Sequence, residues 1–506
     1  MIWSQFSKRK DTIMPVTMTE EDFRKDFFFD DSHVDLPTVR ITKVELNNFK
    51  SVKHGEIVLN CGKQYVPYGT KSDILGVYGQ NGSGKTSLIE ALSILERLMC
   101  GASIPDVYAD CISVGEASSV LGFVFELQYP SGEIRELEYT FSLEKVKLSD
   151  EEIRDKYKDA PEDYEIPSDN YRVRVFDEKL KLSWDEDGKR KIKQLIVDAS
   201  TDTLPFGPGT KLDAFIGKNK KALLELEINK QSTAEKSKSF IFNKKTLQIF
   251  KDSGLYSIFF QVLLEMRYFS SLFFFVIDTK SSGFIRLNFA LPIYTRTGVL
   301  HFDVRRPETF PVEAFDYINQ SLAGVSGVLT QLVPGLSIGF KKISDTLLQD
   351  GKPGYVAMPV AYRNGMEIPL RDESDGVRKI ISFLSLIIAA YNDQSFTLAI
   401  DEFDAGIFEY LLGEILQAFE ESGKGQFIFT SHNLRPLEVI DKKFLVFTTT
   451  NPNNRYYRLK GISSTSNLRD TYFREIILGE QEEELYNNTK RFKFESAMKK
   501  AGVLVI

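Results

Sequence analysis

Hydrophobic and polar positions recur along this chain with two periods, and the switches between them mark its elements. From Arg40 through Ile41, Thr42, Lys43, Val44 and Glu45 to Leu46 they alternate, as a half-buried strand requires, and residues 56–59 supply a second strand. Ile74 to Tyr78 is a short apolar run of buried-strand length. Leu88, Ile89, Ala91, Leu92 and Leu95 then fall on one face at helical spacing. Phe123, Phe125, Leu127 and Tyr129 alternate again, as do Leu137, Tyr139, Phe141 and Leu143. The Pro130-Ser131-Gly132-Glu133 segment between them predicts a hairpin. A second hairpin is predicted from Tyr171 to Trp184 and Ile192 to Val197, turning at Asp187-Gly188.

Helical spacing returns at Leu255, Ile258, Phe259, Val262, Leu263 and Met266, and the run from Leu272 to Ile277 has the length of a buried strand. Val377, Ile380, Ile381, Leu384 and Ile388 predict another helix, with Ser374 as its N-cap. Phe396 to Ile400 and Gln426 to Phe429 are two more apolar strands. The chain therefore reads as α/β, a mixed sheet with flanking helices. Residues 1–37 read as a polar arm with a short helix around Glu20 to Phe29, and Ser149 to Asn170 as a solvated connection. No heptad pattern is sustained between Thr86 and Arg371, which predicts a large compact α+β insertion and not a coiled-coil arm.

Composition adds limits. The 506 residues allow two to four domains or one large core with insertions, and the formal charge of −7 is not that of a protein that coats nucleic acid. Cys61, Cys100 and Cys111 show no C-x-x-C spacing, so neither a zinc site nor a disulfide framework is expected, and a cytoplasmic setting fits. No run reaches the roughly 18 apolar residues of a membrane span.

The chemistry is concentrated at strand ends. Gly79, Gln80, Asn81, Gly82, Ser83, Gly84, Lys85 and Thr86 fit the phosphate-loop pattern G-x-x-x-x-G-K-[ST] without a mismatch, and Ser87 extends the run. Glycines in such a loop let backbone N–H groups turn toward a phosphate chain, and the following helix N-terminus adds free donors. Lys85 is expected to reach the β- and γ-phosphates of ATP, with the Thr86 hydroxyl on Mg²⁺. After the strand 396–400, Asp401 is a candidate for the metal and Glu402 for polarising the attacking water. His432, at the end of the next strand, is placed to hydrogen-bond the γ-phosphate. Ser374 and Gly376 at a helix N-terminus make a further anion-binding device.

As a set, these segments resemble ATP-binding-cassette ATPases of the RecF, SMC and OLD-like branch. Residues 41–51 resemble that branch's first strand, 79–86 its Walker A loop and Asp401-Glu402 its Walker B pair. Asp404 corresponds to the D-loop, His432 to the switch histidine, and Ser374-Asp375-Gly376 to the signature motif, although Asp375 stands where a glycine is usual. Gln128 is a weak candidate for the Q-loop glutamine. The resemblance covers about 38–110 and 365–450. It implies an N-terminal arm at 1–37, an ATPase lobe at 38–115 and 366–506, and an insertion at 116–365 that is β-rich, then helical. It also implies a head-to-tail dimer in which Ser374 of one copy closes on the γ-phosphate held by the other.

Size and layout are similar to the AAA15-type ATPases of two-component phage-defence systems, in layout more to AriA of PARIS than to PtuA of Septu. The stretch after His432 is too short for the TOPRIM nuclease carried by OLD-type proteins. The resemblance thus implies a separate nuclease effector, TOPRIM (AriB-like) or HNH, a phage protein as trigger, and assembly as far as a hexamer. The basic clusters Lys189, Arg190, Lys191, Lys193 and Lys218, Lys220, Lys221 could meet an acidic trigger surface. In the alternative, a DNA-repair ATPase, they would touch DNA phosphates directly.

Overall fold

Strand β1 (Thr38–Phe49) forms a seam between two layers, because it pairs within one sheet while its backbone is bonded to the Gln426 side chain at the start of a central strand of another. The computed structural model describes residues 36–59, 73–156, 158, 170–186, 189–200, 203–252, 258–278, 290–295, 298–348, 351–460, 467–479, 481–486 and 491–505. The expected arm helix at 20–29 lies outside these residues.

A tight turn joins β1 to β2 (Val52–Val58). Strand β3 (Asp73–Tyr78) leads through the glycine loop into helix α1 (Lys85–Met99). Strands β4 (Ser118–Gln128) and β5 (Ile134–Lys147) form the first predicted hairpin. A short helix, α2 (Asp150–Lys156), precedes the second hairpin, β6 (Tyr171–Glu186) and β7 (Lys189–Asp198). The order β2-β1-β4-β5-β6-β7 makes one antiparallel sheet of six described strands. Its inner face carries Leu121, Phe123, Phe125, Leu137, Tyr139 and Phe141, all buried. Helices α3 (Gly209–Ile216), α4 (Lys220–Glu235), α5 (Lys244–Asp252) and α6 (Ile258–Leu272) contribute Phe215, Leu226, Phe250 and Phe259 to the same core as α1.

Strand β8 (Phe274–Ile277) follows α6 at once. Next come β9 (Ala290–Thr295), β10 (Gly298–Asp303), β11 (Glu308–Pro311), α7 (Val312–Leu332), β12 (Leu336–Leu347), β13 (Pro353–Arg363) and β14 (Met366–Pro369). Of these, β11, β13 and β12 form a small antiparallel sheet, with β14 also on β13. The chain then alternates again: α8 (Asp375–Asn392), β15 (Thr397–Ile400), α9 (Glu409–Ser422), β16 (Gln426–Thr430), α10 (Pro436–Val439), β17 (Leu445–Thr448) and β18 (Tyr456–Tyr457). Helices α11 (Leu468–Leu478) and α12 (Arg491–Val505) follow.

The second large sheet runs β18-β17-β3-β16-β15-β8, parallel except for β18. Its register aligns Asp73 with Gln426 and Gln426 with Thr397. The loops after β3, β15 and β16 therefore leave from one edge, where parallel sheets place ligands.

Two pairings differ from a reading in consecutive blocks. The strands after residue 116 complete the sheet that β1 and β2 begin, and β8, from the middle of the expected insertion, is an edge strand of the parallel sheet. Local periodicity reports a strand's faces but not its neighbour. The joint between the layers is polar and buried. Gln426 accepts from the Ile41 N–H (3.1 Å) and donates to the Ile41 carbonyl (2.9 Å) and to Asp73 (3.0 Å), which also pairs with Arg40 at 3.3 Å.

Candidate nucleotide site

The loop after β3 takes the shape its glycines permit. Gly84 caps α1 at φ +100°, a left-handed conformation that L side chains rarely adopt. A Cβ on Gly79 would overlap the Thr448 hydroxyl. Ser83 Oγ lies 2.6 Å from the Gln80 carbonyl and against Thr448 Oγ1, itself 3.1 Å from the Tyr78 carbonyl, so two hydroxyl protons serve this chain of contacts. Tyr456 donates to the Gly84 carbonyl at 2.8 Å. The strand pair β17–β18 thus braces the loop from behind. Asn81 and Gly82 are exposed at its tip, and Ser87 is buried in the first turn of α1.

Lys85 is folded over the loop, its ammonium donating to the carbonyls of Gly79 (2.7 Å) and Gln80 (2.9 Å). Burial pushes its pKa down to about 8, against the attraction of Asp401, Asp404 and Glu402. The Thr86 hydroxyl points at Asp401 Oδ1, 3.4 Å away. A hydroxyl and a carboxylate oxygen at that spacing are a hard-oxygen pair of the kind Mg²⁺ takes beside substrate phosphates. Bound there, the metal with ATP would supply charge neutralisation at the β- and γ-phosphates.

The acidic pair is held by Thr430. Its hydroxyl donates to Asp401 Oδ1 (2.6 Å) and accepts from the Glu402 N–H (2.8 Å). Glu402 sits at φ +48°, a conformation that costs a non-glycine residue about 1–2 kcal/mol. Its carbonyl accepts from Lys379 Nζ at 2.6 Å and from the Ala405 N–H at 3.0 Å.

Asp404 Oδ2 accepts from the N–H groups of His432 (3.0 Å) and Asn433 (2.8 Å), so it shapes the loop that carries the histidine. The imidazole of His432 is exposed. Burial of part of the ring and the Lys85 charge lower its pKa from the ordinary value, so it is largely neutral at pH 7.

Ser374 is the exposed N-cap of α8, its Oγ accepting from the Val377 N–H at 3.4 Å. Asp375, in the place of the usual glycine, is bonded to Arg378 on the same helix. Gly376 packs against the backbone of Gly406 in the loop after β15. Thr86 of the phosphate loop and Asp401 of the acidic pair, 315 positions apart in sequence, are thus brought together, while Ser374 is exposed.

Gln128 is not part of this assembly. It pairs with Thr38 at the start of β1, whereas the phosphate loop lies near Val52, beyond the other end of that strand, and its amide donates to Glu126 at 3.0 Å. Thr430, Lys379, Thr448 and Tyr456 join the site without a motif of their own. The polar end of β16 and the lysine five residues after Ser374 were visible, but their targets are set by tertiary contacts.

Residues 74–438, well over half of the chain, match the family described as "AAA domain, putative AbiEii toxin, Type IV TA system". The chain belongs to this AAA family. No curated protein matches it. Among solved structures, the Smc head bound to the C-winged helix domain of ScpA is 14% identical, covering 83% of this chain and 98% of that one (TM-score 0.35). The SMC head domain from Thermotoga maritima is also 14% identical, over 83% and 100% (TM-score 0.34). ATP-analogue-bound RecF, a recombination mediator, is 10% identical over 80% and 95% (TM-score 0.32). In fold the chain is mixed α/β, with a parallel sheet whose strand ends carry the phosphate loop and the acidic pair. Among the described residues, no helix is long and apolar enough to cross a membrane.

Proposed function

We propose that this protein binds and hydrolyses Mg²⁺-ATP and uses that cycle to hold, then release or activate, a separate nuclease effector in phage defence. The observation that carries the ATPase is the Thr86–Asp401 approach of 3.4 Å beside a buried Lys85. Lys85 binds phosphate oxygens, Thr86 and Asp401 orient the metal, and Glu402 takes a proton from the attacking water. His432 hydrogen-bonds the γ-phosphate side of the site. Ser374, exposed on its helix end, is available to a second copy of the chain, so ATP joins two copies head to tail and hydrolysis frees them.

Support for the effector comes from the toxin–antitoxin description of the family and from the likeness to AAA15-type defence ATPases. Direct action on DNA fits less well. On the outer face of the antiparallel sheet Arg174 is paired with Glu144, Lys179 with Asp198 and Lys181 with Glu138. Lys218 and Lys220 are exposed beside α4, while the side chains of Lys189, Arg190, Lys191 and Lys193 lie outside the described residues.

The test is co-purification with the product of the adjacent gene. A TOPRIM or HNH protein that stays bound in ATP and is released or activated on addition of a phage lysate supports the reading. Absence of such a neighbour, with salt-sensitive binding to duplex ends, would favour the repair alternative.

A further inference from the structure

Glu402 keeps a left-handed backbone in a non-glycine residue, and both of its backbone polar groups are gripped from outside its own strand. Its N–H is held by the Thr430 hydroxyl at the end of β16 (2.8 Å). Its carbonyl oxygen is held by Lys379 Nζ from α8 (2.6 Å). Lys379 is 1% exposed, which is unusual for a lysine, and the acidic groups of Asp401, Glu402 and Asp404 all attract its charge. It lies five residues, a little over one helical turn, after Ser374, the cap of the same helix.

We propose that Lys379 is a positioning residue for ATP hydrolysis: through the Glu402 carbonyl it fixes the direction of the Glu402 carboxylate and ties it to the helix end that bears Ser374. The proposal rests on the ATPase reading above. It gives that reading a physical link between the outward-facing end of α8 and the general base. A shift of α8 when Ser374 docks moves the ammonium, and with it the peptide that sets the Glu402 rotamer.

The test uses the full-length protein, with steady-state phosphate release and ATP-dependent thermal shift read side by side. Lys379→Met removes the ammonium at nearly constant length. It is expected to lower kcat at least tenfold, to leave KM for ATP within threefold, and to keep the ATP-dependent rise in Tm. Lys379→Arg, which restores a charged donor, is expected to recover most of kcat. If Lys379→Met does not fold, Lys379→Gln, a neutral donor, is held to the same split. A kcat within threefold of wild type overturns the proposal, as does joint loss of turnover and the thermal shift. Failure of both neutral variants to fold would assign Lys379 to stability alone and overturns it too. Wild-type protein that turns over no ATP overturns the ATPase reading along with this one, whereas normal wild-type turnover with an indifferent Lys379→Met overturns this one only.

Discussion

Gly376 and Gly406 meet backbone to backbone: a Cβ on Gly376 would overlap the carbonyl oxygen of Gly406, and one on Gly406 would lie 3.4 Å from the Gly376 Cα. The first turn of α8 is thereby pressed against the loop that follows the acidic pair. Gly376→Ala forces those two backbones apart, and neither is a flexible side chain that can yield. The expected result is a fold destabilised by about 1–3 kcal/mol with ATPase activity reduced more than its ATP affinity. Chemical denaturation and phosphate release measure the two. Unchanged activity would mean that the helix end and the loop move independently.

Glu402→Gln keeps size and hydrogen bonding but removes the base. ATP binding is expected to survive and turnover to fall at least about 100-fold, within the usual reach of general-base removal. Size-exclusion chromatography in ATP should then show the closed head-to-tail assembly accumulating. Normal hydrolysis by this variant would show that the acidic pair has been assigned the wrong work.

Thr430 serves Asp401 and Glu402 with a single hydroxyl. Thr430→Val preserves shape and leaves the Glu402 N–H without that acceptor. A stability loss of about 1–3 kcal/mol is expected, with a marked fall in kcat. Thr430→Ser, which keeps the hydroxyl, should recover both. Equal loss in the two variants would point to packing of the methyl group instead.

Lys85 titrates near 8 because burial disfavours its ammonium. Its folded pKa lies below the unfolded value, so its cost to stability is in full below about pH 8 and fades as pH rises from 8 toward the ordinary lysine value. ATP selects the charged form. Affinity for ATP should therefore weaken above pH 8, by up to about tenfold per pH unit, while this group's contribution to the nucleotide-free fold becomes more favourable. Calorimetric titration at pH 7.5 and 9.5 measures the first effect. Lys85→Ala should lose the ATP-dependent thermal stabilisation, which amounts to about 2.7 kcal/mol for wild type at 100 times Kd. Affinity independent of pH would place the lysine away from the phosphates.

Each motif was legible because its chemistry is local. Residues 74–86 carry their own strand, turn and helix start, and the apolar strand at 396–400 is followed at once by two carboxylates. The two hairpins, 118–147 and 171–198, were legible for the same reason, since alternation and turn residues are properties of neighbours in sequence.

Pairing between distant segments was another matter. Nothing local to β8 says that it borders β15, nor anything local to β4 that it borders β1, because a strand's two edges offer the same N–H and C=O groups to any partner. The amino-acid sequence by itself determined that a phosphate loop, an acidic strand end and a capped helix exist. Only the tertiary structure decided that Thr86 meets Asp401, that Gln128 stands apart, and that Thr430 and Lys379 grip the Glu402 backbone. Such contacts depend on sheet register and helix docking, which are set by burial summed over the whole core and by no single stretch of chain.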